Sequence, residues 1–150
     1  MDKTAAGAAA GFAAGLVIGL ISTVLNKTGI CELCLINIGG GMFTRTIMVA
    51  TAPAVWQVIG WLVHLTLSIV LGVILAYIIH FTGKDFALLK GAIFGAVIWV
   101  VDIGIISPLA GYMVASPQPV DLLFLFSYHV LFGLLVAALL LRYGKFAETI

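Results

Sequence analysis

Long apolar runs, interrupted only by small or isolated polar residues, recur four times along the chain, and the charged positions gather between them. Each run is long enough for the ~20 residues that an α-helix needs to cross a hydrocarbon core of about 30 Å. The pattern predicts helices over 4–25, 54–81, 86–107 and 121–142. Pro108 with Gly111 is expected to stop the third, and Ser116-Pro117-Gln118-Pro119 to make a stiff extended link to the fourth. The Gly83-Lys84-Asp85 turn is short, which predicts a tight antiparallel hairpin of the second and third helices. The expected fold is all-α: a four-transmembrane-helix antiparallel bundle, one integral membrane domain over residues 1–150. Residues 1–25 read as a retained span rather than a secretory signal, because the apolar stretch is too long and is preceded only by Lys3.

The first connection, Asn26–Pro53, is longer than the others and fairly apolar, and it carries Cys31, Cys34 and Gly39-Gly40-Gly41. It is expected to be a structured outer loop. Phe43 and Ile47 lie one turn apart in the segment Met42–Met48, which favours a short interfacial helix. The alternative is a re-entrant hairpin pivoting on the three glycines, which requires burial in protein.

Within the helices the small residues form stripes. Gly7, Gly11, Gly15 and Gly19 share one face of the first, with Thr23 continuing the series. Such spacing lets a neighbouring backbone come close, either within the chain or across a homo-oligomer seam. On the second helix Gly60, His64, Ser68 and Gly72 fall at successive i+4 positions. Gly91, Gly95 and Asp102 share a face of the third, and His129, Gly133 and Ala137 a face of the fourth. The ionisable residue sits among small ones in each of these three helices, with large aliphatics on the other faces. Lipid-facing surfaces favour Leu, Ile, Val and Phe, so the polar residues are expected to point inward.

His64, Asp102 and His129 therefore carry the chemical interest, since an ionisable group at bilayer depth costs on the order of 2.5–3.5 kcal/mol. At 1.5 Å per residue they lie roughly 15, 8 and 12 Å below the outer ends of their helices, close enough in depth to meet. Ser68 or Thr23 can add a hydroxyl. A His–Asp–His cluster suits proton relay or cation binding, and imidazole with carboxylate also suits a divalent metal. His64 and His129 alone can clamp a haem iron axially. Equally, buried histidines can simply hydrogen-bond neighbouring helices together. His80, near a membrane surface, is expected to reach the headgroups.

Composition narrows the class. With 63% hydrophobic and 9% charged residues and a mean hydropathy of +1.27, the chain is far from a soluble domain, where about 25% is charged. Seven Lys/Arg against six Asp/Glu leave no basic field for nucleic acid. Lys3, Lys84, Lys90, Arg142 and Lys145 fall on the side of both termini, and Lys27 and Arg45 on the other. This asymmetry puts both termini in the cytoplasm of a bacterial-type inner membrane. Trp56 and Tyr112 suit an outer aromatic belt and Tyr143 an inner one.

Cys31-Glu32-Leu33-Cys34 is a lone C-x-x-C, a spacing that suits thiol redox cycling or half a metal site. A four-span protein with this motif in its first outer loop resembles the thiol–quinone oxidoreductases of the DsbB and vitamin K epoxide reductase type. Those proteins use a second cysteine pair, whereas this chain has two cysteines in all. The arginine that tends to follow the motif in DsbB-type proteins is absent at that spacing; the nearest is Arg45. No histidine follows Cys34, which excludes covalent c-type haem attachment. A static disulfide or two idle thiols are equally open.

From Gly60 onward the chain resembles the small inner-membrane proteins grouped with YagU. The segments concerned are Gly60-Trp61-Leu62-Val63-His64 with Ser68, Leu89-Lys90-Gly91-Ala92, Ser107-Pro108-Leu109-Ala110-Gly111 and Tyr128-His129-Val130-Leu131-Phe132-Gly133. The resemblance singles out His64, Pro108, Gly111 and His129, while Asp102 departs from it. It implies a four-span fold and a link to acid tolerance. No P-loop, G-x-S-x-G or H-E-x-x-H motif is present. The sequence thus reads as a non-enzymatic membrane protein with a buried His64/Asp102/His129 site for protons or a cation, linked to acid or envelope stress. The competing readings are a redox protein, through bis-His haem or through Cys31/Cys34 and quinone, and an accessory packing subunit of a larger membrane complex.

Overall fold

The computed structural model describes residues 2–44, 54–111 and 118–143. The elements are α1 (Lys3–Lys27), α2 (Leu35–Thr44), α3 (Ala54–Thr82), α4 (Ala87–Trp99), a π-helical continuation (Val100–Ile106), α5 (Ser107–Ala110) and α6 (Pro119–Tyr143). The π-turn joins α4 to α5 in one rod, so that among the described residues four helices are long and apolar enough to cross a membrane: Lys3–Lys27, Ala54–Thr82, Ala87–Ala110 and Pro119–Tyr143. This is an all-helical, four-span membrane protein with a short helix in the first connection.

The small-residue stripes decide which helices touch. A Cβ added at Gly7 would lie 2.7 Å from the Val73 Cα, and one at Gly11 would strike the Ser68 carbonyl. One added at Gly19 would lie 2.7 Å from the Trp61 ring and 3.0 Å from His64 Nε2. The α1 stripe is thus buried against the His64–Ser68–Gly72 part of the α3 stripe, leaving none of its four glycines for a second copy, while Gly60 faces Ile36 of α2. A second pair forms the same way: Gly91 and Gly95 of α4 press on the Gly133 and His129 backbone of α6. Such close approaches build membrane bundles by packing, because lipid offers no hydrophobic incentive for helices to associate. A core of Ile18, Leu75, Ile79, Leu125, Val136 and Leu140 joins the two pairs where α1 meets α6.

The hairpin expectation changes. α3 and α4 are joined by a short turn, with Gly83 at φ 82° reversing the chain, yet they touch only sparsely. Each presents its small residues to different partners, α3 to α1 and, through Gly60, to α2, and α4 to α6. Lys90 Nζ fixes the turn by donating to the Thr82 and Gly83 carbonyls, 2.9 Å each, at the negative end of α3.

Two further boundaries differ from expectation. Pro108 does not stop the third helix. The π-turn ahead of it, closed by Ser107 N–H donating to the Asp102 carbonyl, absorbs the missing donor, and the helix ends at Gly111 with φ 72°. In the first connection the helix begins at Leu35, and Gly39–Gly41 lie inside it rather than at a pivot. α2 packs along the first turns of α3: Gln57 Nε2 donates to Asn37 Oδ1 at 2.9 Å, and a Cβ at Gly39 would sit 3.0 Å from the Gly60 carbonyl and 3.5 Å from Val63. Arg45, Ile47, Met48, Tyr112, Ser116, Pro117 and Lys145, which entered the sequence argument, lie outside the described residues.

Candidate functional site

The sparse side of the bundle, between α3 and α4, holds a cavity of about 300 Å³. His64 and Ser68 reach it from α3, Asp102 from the π-turn, and His129 with Tyr128 from α6. Ile18 of α1 and Ile38, Gly39 and Met42 of α2 also line it, and aliphatic side chains of α3, α4 and the π-turn make up most of the rest of the wall. The three ionisable residues singled out in the sequence, with Ser68, thus line one space, and none of them is placed on the outer aliphatic faces.

Each histidine is oriented by a backbone carbonyl. His64 Nε2 donates to the Gly15 carbonyl at 2.9 Å, a reach made possible by the missing side chain at Gly19, three ångströms from that nitrogen. His129 Nδ1 donates to the Leu125 carbonyl at 2.6 Å, one turn back on its own helix. A carbonyl cannot donate, so the proton on each of these nitrogens is assigned. Trp61 meets His64 edge-on at 6.0 Å between ring centroids, and Ser68 Oγ donates to the His64 carbonyl at 2.7 Å. Ser68 therefore offers the cavity oxygen lone pairs rather than its hydroxyl proton.

With Nδ1 committed, His129 turns Nε2 toward Asp102 Oδ2, 3.8 Å away. Asp102 is 31% exposed and His129 11%, so the pair opens to the cavity without being sealed from it. The π-turn is what places Asp102 there, and such turns recur at functional sites.

The arrangement bears on the other ligands considered. Among the described residues no three His, Cys, Asp or Glu side chains converge as a metal site. Bis-axial haem ligation needs two imidazole nitrogens facing each other across an open slot, and His64 Nε2 is instead turned to Gly15.

Cys31 and Cys34 are not part of the cavity wall. They are free thiols, each 2% exposed, packed over the Lys27 end of α1. Ser22 Oγ donates to Cys34 Sγ at 3.5 Å and itself accepts from the Leu35 N–H at 3.0 Å. Cys31 Sγ lies 3.7 Å from the Tyr128 hydroxyl, and Tyr128 lines the cavity, so one side chain connects the two places. Asp121, barely noticed in the sequence, is 2% exposed and accepts the Glu32 N–H at 2.9 Å, with the Leu33 N–H at 3.5 Å. It anchors the cysteine loop to the first turn of α6. Tyr128, Asp121 and the Gly15 carbonyl were missed by sequence reasoning; only the acidic residue two positions past Pro119 gave a signal, that of a helix start.

Burial pushes the Cys31 thiol above its ordinary range; the Tyr128 hydroxyl opposes the rise, and the Asp121 and Cys34 charges add to it. The thiolate is the nucleophile. Alkylation of Cys31 in the folded protein is therefore expected to run more than about tenfold slower at neutral pH than in a short peptide and to climb with pH past the usual thiol midpoint. Mass-spectrometric counting of iodoacetamide adducts against pH checks this; peptide-like labelling at neutral pH would contradict it.

The chain was compared with known protein families, curated proteins and solved structures, and none of them matches it. What the fold and the site define is a class: a small polytopic membrane protein with a largely apolar cavity, carrying a few polar side chains, between two closely packed helix pairs.

Proposed function

We propose that this protein binds and passes protons through the cavity bounded by His64, Asp102 and His129. The observation that carries the reading is that His129 Nε2 and Asp102 Oδ2 stand 3.8 Å apart on the wall of a largely apolar cavity at membrane depth. A second imidazole, His64, lines the same space as a further acceptor. A small cation is the neighbouring possibility, its ligands Asp102, the Ser68 oxygen and an imidazole lone pair. The setting proposed is a bacterial-type inner membrane with cytoplasmic termini. Lys3, Lys84, Lys90 and Arg142 crowd one end of the bundle and Lys27 stands at the other among the described residues. The physiological context proposed is acid or envelope stress, following the YagU resemblance. Assembly as a homo-oligomer, or as a subunit of a larger complex, belongs to the same proposal, through a surface other than the α1 stripe.

The test is proton uptake into vesicles of the reconstituted protein, read by an internal pH dye. Asp102→Asn and His64→Ala should each lower the rate by about tenfold or more, since each removes a group that would take up and pass on the proton. His80→Ala should leave it unchanged, because His80 accepts from Lys3 Nζ at 2.7 Å, at the termini end of the bundle. Unaltered uptake in both site variants would retire the proposal.

A second reading has one observation in its favour, the 3.7 Å approach of Cys31 Sγ to Tyr128 on the cavity wall. Oxidation of the two thiols to a disulfide releases two electrons and two protons, enough to reduce a quinone in the cavity to its hydroquinone. Quinone reduction unaffected by Cys31→Ser/Cys34→Ser would dispose of it.

A further inference from the structure

The π-turn leaves the backbone of the third span out of balance. Ser107 N–H donates to the Asp102 carbonyl, and Gly111 N–H to the Ser107 carbonyl at 3.1 Å. Four carbonyls lie between those two acceptors, on Ile103, Gly104, Ile105 and Ile106. The N–H groups between the two donors are only those of Leu109 and Ala110, because Pro108 has none. Two of the four carbonyls are thus left without a donor in the rod.

Two side-chain atoms of the same rod are left over as well. Ser107 is 0% exposed, and its Oγ has no hydrogen-bond partner among the described residues; the same holds for the buried Nε1 of Trp99. Elsewhere Thr23, Ser68, Thr82 and Ser127 each spend their hydroxyl on the carbonyl four residues back, at 2.7–2.8 Å. Ser107 does not. In a π-turn the carbonyl beneath a residue is the one five back, and here that acceptor, Asp102, already takes the Ser107 N–H.

The unmet groups are carbonyl acceptors, a hydroxyl and an indole donor, and buried polar atoms of this kind are costly unless paired. A metal cation would suit the oxygens but not the indole, which can only donate. Water both donates and accepts, and a buried water makes about three hydrogen bonds. Position gives such water a use. Ser107 stands one π-turn beyond Asp102 toward the cysteine-loop end of the bundle, and the Trp99 ring packs edge-on against Phe126, at 5.4 Å between centroids. Phe126 lies nearly one turn of α6 closer to that same end than His129. From Asp102 to Pro108 the rod rises by about 8 Å, the length of roughly three waters in file at about 2.8 Å spacing.

We infer that the seam beside the π-turn holds ordered water, bound by Ser107, Trp99 and the carbonyls that Pro108 leaves unpaired, and that this water is the route by which a proton reaches Asp102 from the cysteine-loop end. The route rests on the proton-site reading and deepens it; the hydration does not depend on it.

The test uses isotope-labelled protein in phosphatidylcholine vesicles. Solid-state NMR reads the magnetisation that water passes to each side chain, with Ser107→Ala and Trp99→Phe assigning the signals. Transfer to Ser107 and Trp99 should be several-fold faster than to Val136, which is 0% exposed in the apolar core. Pro108→Ala returns an N–H to the rod and should slow transfer at Ser107 several-fold. Proton uptake in the same vesicles should fall several-fold in both Pro108→Ala and Ser107→Ala; the second removes a single oxygen and leaves the helix intact. Transfer no faster than at Val136, a Ser107 signal that moves with sodium concentration, or uptake unchanged in both variants would each overturn the inference. Uptake that is sensitive to Asp102→Asn but indifferent to Ser107→Ala and Pro108→Ala defeats the route alone. Uptake insensitive to both Asp102→Asn and His64→Ala defeats the reading beneath it.

Discussion

Gly133→Ala is expected to destabilise the bundle by about 3 kcal/mol, at the upper end of the usual cost of overpacking. A methyl group there would strike the Gly91 carbonyl and lie 3.2 Å from the Gly95 nitrogen. Both are backbone atoms, which cannot rotate aside as a flexible side chain can, so α4 and α6 would have to separate along their length. That separation would also move Asp102 away from His129, since α4 carries the π-turn. Titration with a denaturing detergent, followed by loss of helicity, measures the change. Gly104→Ala is the matched control. It is on the same rod, with only Val100 Cγ1 at 4.0 Å from the added atom, and should be neutral or slightly stabilising, since Ala exceeds Gly in helix propensity by up to about 1 kcal/mol. Equal losses in the two variants would mean that the α4–α6 contact is not what holds the pair together.

Asp121→Ala should cost nearly as much, about 2–3 kcal/mol, and should act on a different part of the molecule. The carboxylate is 2% exposed and accepts the Glu32 N–H at 2.9 Å. Removing it leaves a buried backbone donor with no acceptor, the expensive half of any hydrogen-bond deletion. It also removes a negative charge from the first turn of α6, where the helix dipole favours one. Because the anchored loop carries Cys31 and Cys34, its release should expose both thiols. Alkylation in the variant should therefore approach the rate of an unfolded peptide while the four spans remain helical. Asp121→Asn keeps one acceptor oxygen and should lose about 1 kcal/mol. Thiol protection unchanged in Asp121→Ala would show that the loop is held by its apolar contacts alone.

The spans were legible because they follow from length and hydropathy. The structure places the membrane helices at Lys3–Lys27, Ala54–Thr82, Ala87–Ala110 and Pro119–Tyr143, within a few residues of the sequence reading. The largest shift is at Pro108, whose helix-stopping effect the π-turn absorbs. The small-residue stripes were equally legible as contact faces. The short helix of the first connection was read only partly. Its beginning at Leu35 depends on what it packs against, and no local periodicity marks Gly39–Gly41 as helical.

The candidate site divides the same way. His64, Asp102 and His129 stood out because an ionisable side chain in a hydrocarbon-length run needs a partner. Tyr128 and the Gly15 carbonyl did not, since nothing in their neighbourhoods marks a tyrosine or a glycine as the one that meets Cys31 or His64.

The sequence by itself determined that four helices span the membrane and which face of each is small or polar. Hydrophobicity and helical period are properties of a segment and can be read along it. Tertiary structure alone decided which stripe meets which. Those of α1 and α3 close on each other, as do those of α4 and α6, and the chain neighbours α3 and α4 are left apart around a cavity. Pairing depends on the shapes of two surfaces brought together, and the several glycine-rich faces of this chain look alike until their backbones are in contact.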